Sequence, residues 1–142
     1  MVVNCGEKAG SDQLILAARL SMMLLFILFG YEKIGSYGSM AAHFGQLGLP
    51  LPDVAVLVAV IMELGVGLAI AAGVYTRPLA VLLAVYTMIT ALVGHRFWSM
   101  SGQQAVDAEI NFFKNVSIVG GLLLLYVTGP GRFSIDRRFG LG

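Results

Sequence analysis

Charge is scarce in this chain: nine Lys and Arg and eight Asp and Glu make up 12% of 142 residues, about half the roughly 25% of a soluble globular domain. With 58% hydrophobic residues beside it, a water-soluble fold could not hide the apolar surface. The net charge is +1 and Lys and Arg never form a run, which removes the electrostatic basis for binding nucleic acid. Cysteine is represented once, by Cys5, so an internal disulfide, a CxxC pair and a thiolate metal cluster are excluded on count. Also missing is a small-x-small cleavage pattern after the first apolar block, which ends in Gly30-Tyr31-Glu32-Lys33 and is followed by three more blocks. That block reads as a retained helix and not as a secretory leader.

The four blocks predict an all-α, single-domain membrane bundle over residues 1–142, with spans at about 14–31, 54–73, 78–95 and 111–128. Each approaches the roughly 20 helical residues needed to cross a bilayer core. Pro50 and Pro52 open the second span and Gly73 closes it, while Pro78 starts the third, where its missing N–H is harmless. Between the first two spans Tyr37, Met40, Ala41, Phe44 and Leu47 recur at helical spacing, predicting a short interfacial helix that serves as a lid or as a plain connector. Residues 96–110 read as a polar loop, with Trp98 at the interface. Lys8, Arg77, Arg132, Arg137 and Arg138 fall on the side of the termini, against Lys33, Arg96 and Lys114 on the other, which predicts cytoplasmic termini.

An ionised side chain in the hydrocarbon core costs from about 2.5 kcal/mol upward, so the few polar residues inside the spans carry the information. Arg19 and Lys33 share one face of the first helix, and Glu63 interrupts a small-residue stripe of Ala55, Ala59, Gly67 and Ala71 on the second. Counted from the outer ends of their spans, Glu63 lies about 13 Å deep and Arg19 about 18 Å, which predicts an Arg19–Glu63 ion pair. His95 at the end of the third span and Asn111, Lys114 and Asn115 on one face of the fourth are expected to converge with Lys33 at the outer mouth as a ligand pocket. Each residue has a structural alternative. The Arg–Glu pair could serve only to fix helix register, His95 could be an interfacial residue, and Lys33 and Lys114 could snorkel to the headgroups. A metal centre is disfavoured by the two lysines and the arginine; anionic or carbonyl-bearing ligands suit the set.

Arg19, Gly30-Tyr31-Glu32-Lys33, Leu47-Gly48-Leu49-Pro50, Glu63 with Gly65-Val66-Gly67, Thr76-Arg77, His95, Asn111-Phe112-Phe113-Lys114-Asn115 and Gly129-Pro130-Gly131-Arg132-Phe133-Ser134-Ile135-Asp136, in that order, resemble the DoxX family over nearly the whole chain. The resemblance implies a small bacterial inner-membrane protein whose namesakes include membrane subunits associated with quinone-linked oxidation of sulfur compounds. The family's polar positions fall here on Arg19, Lys33, Glu63, His95, Lys114 and Asn115. A more distant likeness to four-span proteins that handle disulfides implies no such activity here, because those rely on paired cysteines.

Three functions follow as expectations. One is a non-catalytic membrane subunit of an oxidoreductase, binding a quinone and no covalent cofactor, with a redox partner protein to supply electrons, since no flavin, haem or iron–sulfur motif is present. Another is a small-solute carrier or channel gated by the Arg19–Glu63 pair, in which a homo-oligomer could build the pathway. The last is a membrane scaffold that recruits soluble partners through its tails, Arg137 and Arg138 included.

Overall fold

The computed structural model describes residues 5–140, with side chains from Gly10 to Gly140. The side chains of Cys5 and Lys8 lie outside the described residues. Helix α1 (Cys5–Gly35) is followed by the short α2 (Tyr37–Gln46). The second span is α3 (Pro52–Val60), a π turn (Ile61–Val66) and α4 (Gly67–Ala72) in unbroken succession. Then come α5 (Thr76–Gly94), α6 (Gly102–Thr128) and a last turn of helix, α7 (Ile135–Phe139). Four stretches are long and apolar enough to cross a membrane: Gly10–Gly35, Pro52–Ala72, Thr76–Ser99 and Gly102–Thr128. The chain is a helical membrane protein, as its composition requires.

Consecutive spans run antiparallel and neighbour one another, and α6 returns to α1 to close the bundle. A core of Met23, Phe26, Ile70, Leu83, Ala84, Leu122 and Leu125 takes residues from all four spans. Only 11% to 28% of the apolar stretch of each span is buried within the protein. The outward faces carry Leu24, Leu28, Leu57, Leu68, Val85, Ile89 and Leu124, so hydrocarbon, and not the protein interior, receives most of the apolar surface.

The start of the fourth span differs from the sequence reading. The fourth helix begins at Gly102, so the second half of the expected 96–110 loop is helix; Gln103 bonds Asp107 at i+4 (3.0 Å) and supports that polar turn. Only the stretch around Phe97–Ser99 remains a connector, pinned where Arg96 donates to the Leu47 carbonyl (3.1 Å). The interfacial helix forms at Tyr37–Gln46 as expected and is tied to the second span by the Tyr37 hydroxyl, which donates to the Asp53 carbonyl (2.6 Å).

Close approach of the first two spans depends on Gly30. A Cβ there would lie 2.6 Å from the Leu64 backbone nitrogen and 3.1 Å from the Glu63 carbonyl carbon, distances at which backbone would have to move. Gly30→Ala should therefore destabilise the protein by about 1–3 kcal/mol, read as a fall in the detergent melting temperature followed by Trp98 fluorescence. Gly120→Ala, whose new Cβ meets nothing within 4 Å, should leave the melting temperature unchanged or raised.

Candidate functional site

The buried polar groups divide into two layers separated by the apolar core. Toward the α2 side, Glu63 accepts from Lys33 Nζ at 2.6 Å through one carboxylate oxygen and from the Tyr86 hydroxyl at 2.8 Å through the other. First, second and third spans thus contribute one member each. Glu63 lies eleven residues from Pro52 and nine from Ala72, roughly 16 and 14 Å along the helix, so the carboxylate sits near the middle of its span. Its side chain keeps 11% exposure and that of Lys33 14%; the pair is sheltered but not sealed.

The π turn Ile61–Val66 is what presents Glu63. One residue inserted into the α-helical repeat rotates the side chains after it relative to those before it, and such turns recur where a functional group has to be aimed. The small-residue stripe read from the sequence at strict i, i+4 spacing holds across the turn at Ala59, Glu63 and Gly67, which are buried, but on either side of it Val56 and Ile70 are buried in place of Ala55 and Ala71, which are half-buried.

The expected Arg19–Glu63 ion pair does not form. Gly30 abuts the Glu63 backbone, and Arg19 is eleven residues further along the first helix, about 16 Å away at 1.5 Å per residue, beyond the reach of an arginine side chain. Depth counted from span ends misplaced both residues, because the first helix continues four residues past the expected end, to Gly35. With the pair goes the gate that a carrier reading required.

Arg19, 1% exposed, instead anchors the segment after α6. Its guanidinium donates to the Pro130 carbonyl and, at 2.7 Å, to the Phe133 carbonyl. That segment folds back under the bundle: Asp136 N donates to the Gly73 carbonyl (2.8 Å), and the Asp136 carboxylate accepts from the Tyr75 and Thr76 backbone nitrogens (2.7 and 2.8 Å), capping α5. Gly73 carries φ +76° and its missing Cβ would meet Ser134 Cβ at 2.5 Å, so the turn admits both the left-handed backbone and the returning chain only with glycine. The Gly129–Asp136 motif is a structural clasp.

His95 ends α5 and is half-buried; Asn111 and Asn115 are half-buried and Lys114 is exposed on α6. None of these four makes a side-chain hydrogen bond to Lys33 or Glu63 among the described residues. Of the residues singled out in the sequence, the structure joins Lys33 to Glu63 and places Arg19 in the other layer. Tyr86 and Asp136 were missed as buried polar partners. Tyr86 had a legible signal, since a phenol in mid-span needs an acceptor; Asp136 had none beyond its place in the Gly129–Asp136 motif.

The DoxX family model matches residues 14–96, more than half of the chain. The chain is 46% identical over 130 residues to inner membrane protein YphA of Escherichia coli K12, covering 92% of this chain and 93% of that protein. It is 39% identical over 126 residues to inner membrane protein YqjF of the same organism, covering 87% and 89%. ER-derived vesicles protein ERV29 of Saccharomyces cerevisiae is 23% identical over 136 residues, 96% of this chain but 37% of that protein. No solved structure matches the chain.

Removing one partner of a buried ion pair strands the other. Lys33→Met should cost about 3–5 kcal/mol, and adding Glu63→Gln to it should recover much of the loss, since no charge is then left unpaired. Tyr86→Phe removes one hydrogen bond to a charged acceptor and should cost about 1.5–3 kcal/mol. Melting curves of the four proteins in one detergent check all three; a double variant as unstable as Lys33→Met would show that the two residues are not paired.

Proposed function

The chain belongs to the DoxX family, and from that premise we propose that it is an inner-membrane component of a redox system that binds a quinone-like, lipid-soluble molecule at Lys33, Glu63 and Tyr86. The observation that carries the proposal is the hydrogen-bonded row of these three side chains, set by a π turn near the middle of the second span.

An ammonium group has three N–H donors, and the one well-formed bond of Lys33 goes to Glu63. Beside a long contact to the Phe29 carbonyl (3.5 Å), Lys33 keeps a donor to meet a ligand carbonyl, and Tyr86, whose hydroxyl donates to Glu63, still has lone pairs to accept from a ligand hydroxyl. Donors beside an apolar wall are what recognises a carbonyl on a hydrophobic ring. Glu63 then serves as the proton carrier between the site and the outer side. Reduction of a quinone takes two electrons and two protons; the protons pass through this row, and the electrons come from a partner protein. The residual exposure of Lys33 and Glu63 supports entry of the ligand from the bilayer.

In this reading both termini face the cytoplasm. The support is the charge asymmetry as the fold distributes it. Lys33 turns inward to Glu63 and Lys114 lies within α6, so Arg96 alone remains in the outer connections against Lys8, Arg77, Arg132, Arg137 and Arg138 on the other side. A C-terminal alkaline phosphatase fusion should be inactive and a C-terminal green fluorescent protein fusion bright; the reverse would invert the topology.

The binding proposal is tested by solvent extraction and mass spectrometry of protein purified in mild detergent, wild type beside Glu63→Gln and Tyr86→Phe. A stoichiometric quinone in the wild type, depleted in both variants at unchanged helical content, is the expected result. Wild-type protein that arrives empty and takes up no added ubiquinone or menaquinone overturns the proposal.

A further inference from the structure

At the end of the bundle opposite α2, the clasp and the α4–α5 turn line a half-open cavity of about 510 Å³, within the roughly 300–1,000 Å³ of small-molecule pockets. Arg77, Arg132 and Arg137 all line it. Two carboxylates, Asp12 and Asp136, line it as well, but both are engaged by backbone: Asp12 accepts from Arg132 N at 2.9 Å, and Asp136 accepts from Tyr75 N and Thr76 N. The three guanidinium groups have no hydrogen-bond or salt-bridge partner among the described residues.

The backbone around these arginines is nevertheless held in place. Arg132 is fixed through its N–H to Asp12, and Arg137 through its N–H to Ser134 Oγ at 3.2 Å. The Arg77 side chain lies against the Gly129 backbone, with Nε and Nη2 each 3.3 Å from where a Cβ would stand; a side chain at that residue would push the guanidinium away. Three exposed guanidiniums without a partner among the described residues, two of them on backbone held by hydrogen bonds, surround a cavity at the end of the bundle and suit a planar or tetrahedral oxyanion, to which arginine binds in a forked geometry. The apolar rim places that oxyanion at headgroup level: Ile15 and Pro78 line the cavity, and Leu14 and Tyr75 beside it are largely exposed.

We propose that this cavity is a binding site for the phosphate of an anionic phospholipid, held by Arg77, Arg132 and Arg137 with the acyl chains along the outer surface of the bundle. The site is separate from Glu63 and stands whether or not a quinone binds there.

The test uses the full chain in mild detergent, titrated with phosphatidylglycerol and, in parallel, with phosphatidylcholine, inorganic phosphate and glycerol 3-phosphate, with native mass spectrometry and thermal shift as readouts. Phosphatidylglycerol should bind at least tenfold more tightly than the other three. Arg77→Gln, Arg132→Gln and Arg137→Gln should each weaken it about fivefold, the effect of one arginine near an anionic headgroup, and the triple variant should lose the preference. Arg138→Gln serves as the charge control, since Arg138 does not line this cavity, and should leave the affinity within twofold. Melting curves without lipid verify that each variant is folded, and where the triple variant is not, the three single variants decide. The proposal is overturned if folded arginine variants keep wild-type affinity, if Arg138→Gln weakens binding as much as the others, or if inorganic phosphate competes as tightly as the lipid.

Discussion

An ionised group inside a hydrocarbon slab has no water to fall back on, so its partner must be supplied by the protein itself, and that requirement organises this structure. Two charged residues of the spans are buried within the protein, Glu63 near the middle of its span and Arg19 toward one end of the bundle, and each is answered differently. Glu63 is met by a cation and a phenol from two other helices. Arg19 is met by main-chain carbonyls from a segment more than a hundred residues away. The first solution ties three spans together and leaves hydrogen-bonding capacity unspent; the second joins the bundle to its own far end and leaves only Nε without a partner among the described residues.

The remaining architecture follows from keeping those layers apart. Between them lies the apolar core around Met23, Leu83 and Leu122, which insulates the carboxylate from the guanidinium. On the carboxylate side, Gly30 lets the first two helices touch backbone to backbone, and the π turn opposite it aims Glu63 at Lys33 and Tyr86. On the guanidinium side, Gly73 admits the returning chain, and Asp136 caps the third span. Arg19 and Glu63 both lie within residues 14–96, the part of the chain that the DoxX family model matches, and both make buried polar bonds.

Much of this was legible from residue chemistry. Long apolar runs with few charges dictate membrane helices, and the cost of burying Arg19, Lys33 and Glu63 marks them as paired. Which pairs form was not legible, because pairing depends on axial register, and register depends on where helices end. The first helix continues to Gly35 and the fourth starts at Gly102, both within polar sequence that a hydrophobicity pattern cannot assign. The π turn was equally hidden: Ile61–Val66 has the composition of ordinary membrane helix. The arginines of the clasp could be counted from sequence toward topology, but their common cavity exists only once residues 129–137 have folded back.

The hold of Arg19 on Pro130 and Phe133 also bears on the order of assembly. The first span is made and inserted long before those carbonyls exist, so for most of synthesis its guanidinium has to draw on water or headgroups at the membrane boundary. The first and second spans can meet early through Gly30 and the Lys33–Glu63 pair, both available once the second helix is in place. The end of the bundle that holds Arg19 can close only after the ribosome has delivered the chain as far as Asp136. The end of the bundle that holds Lys33 and Glu63 is therefore free to close before the end that holds Arg19, whose partners are among the later residues to be made.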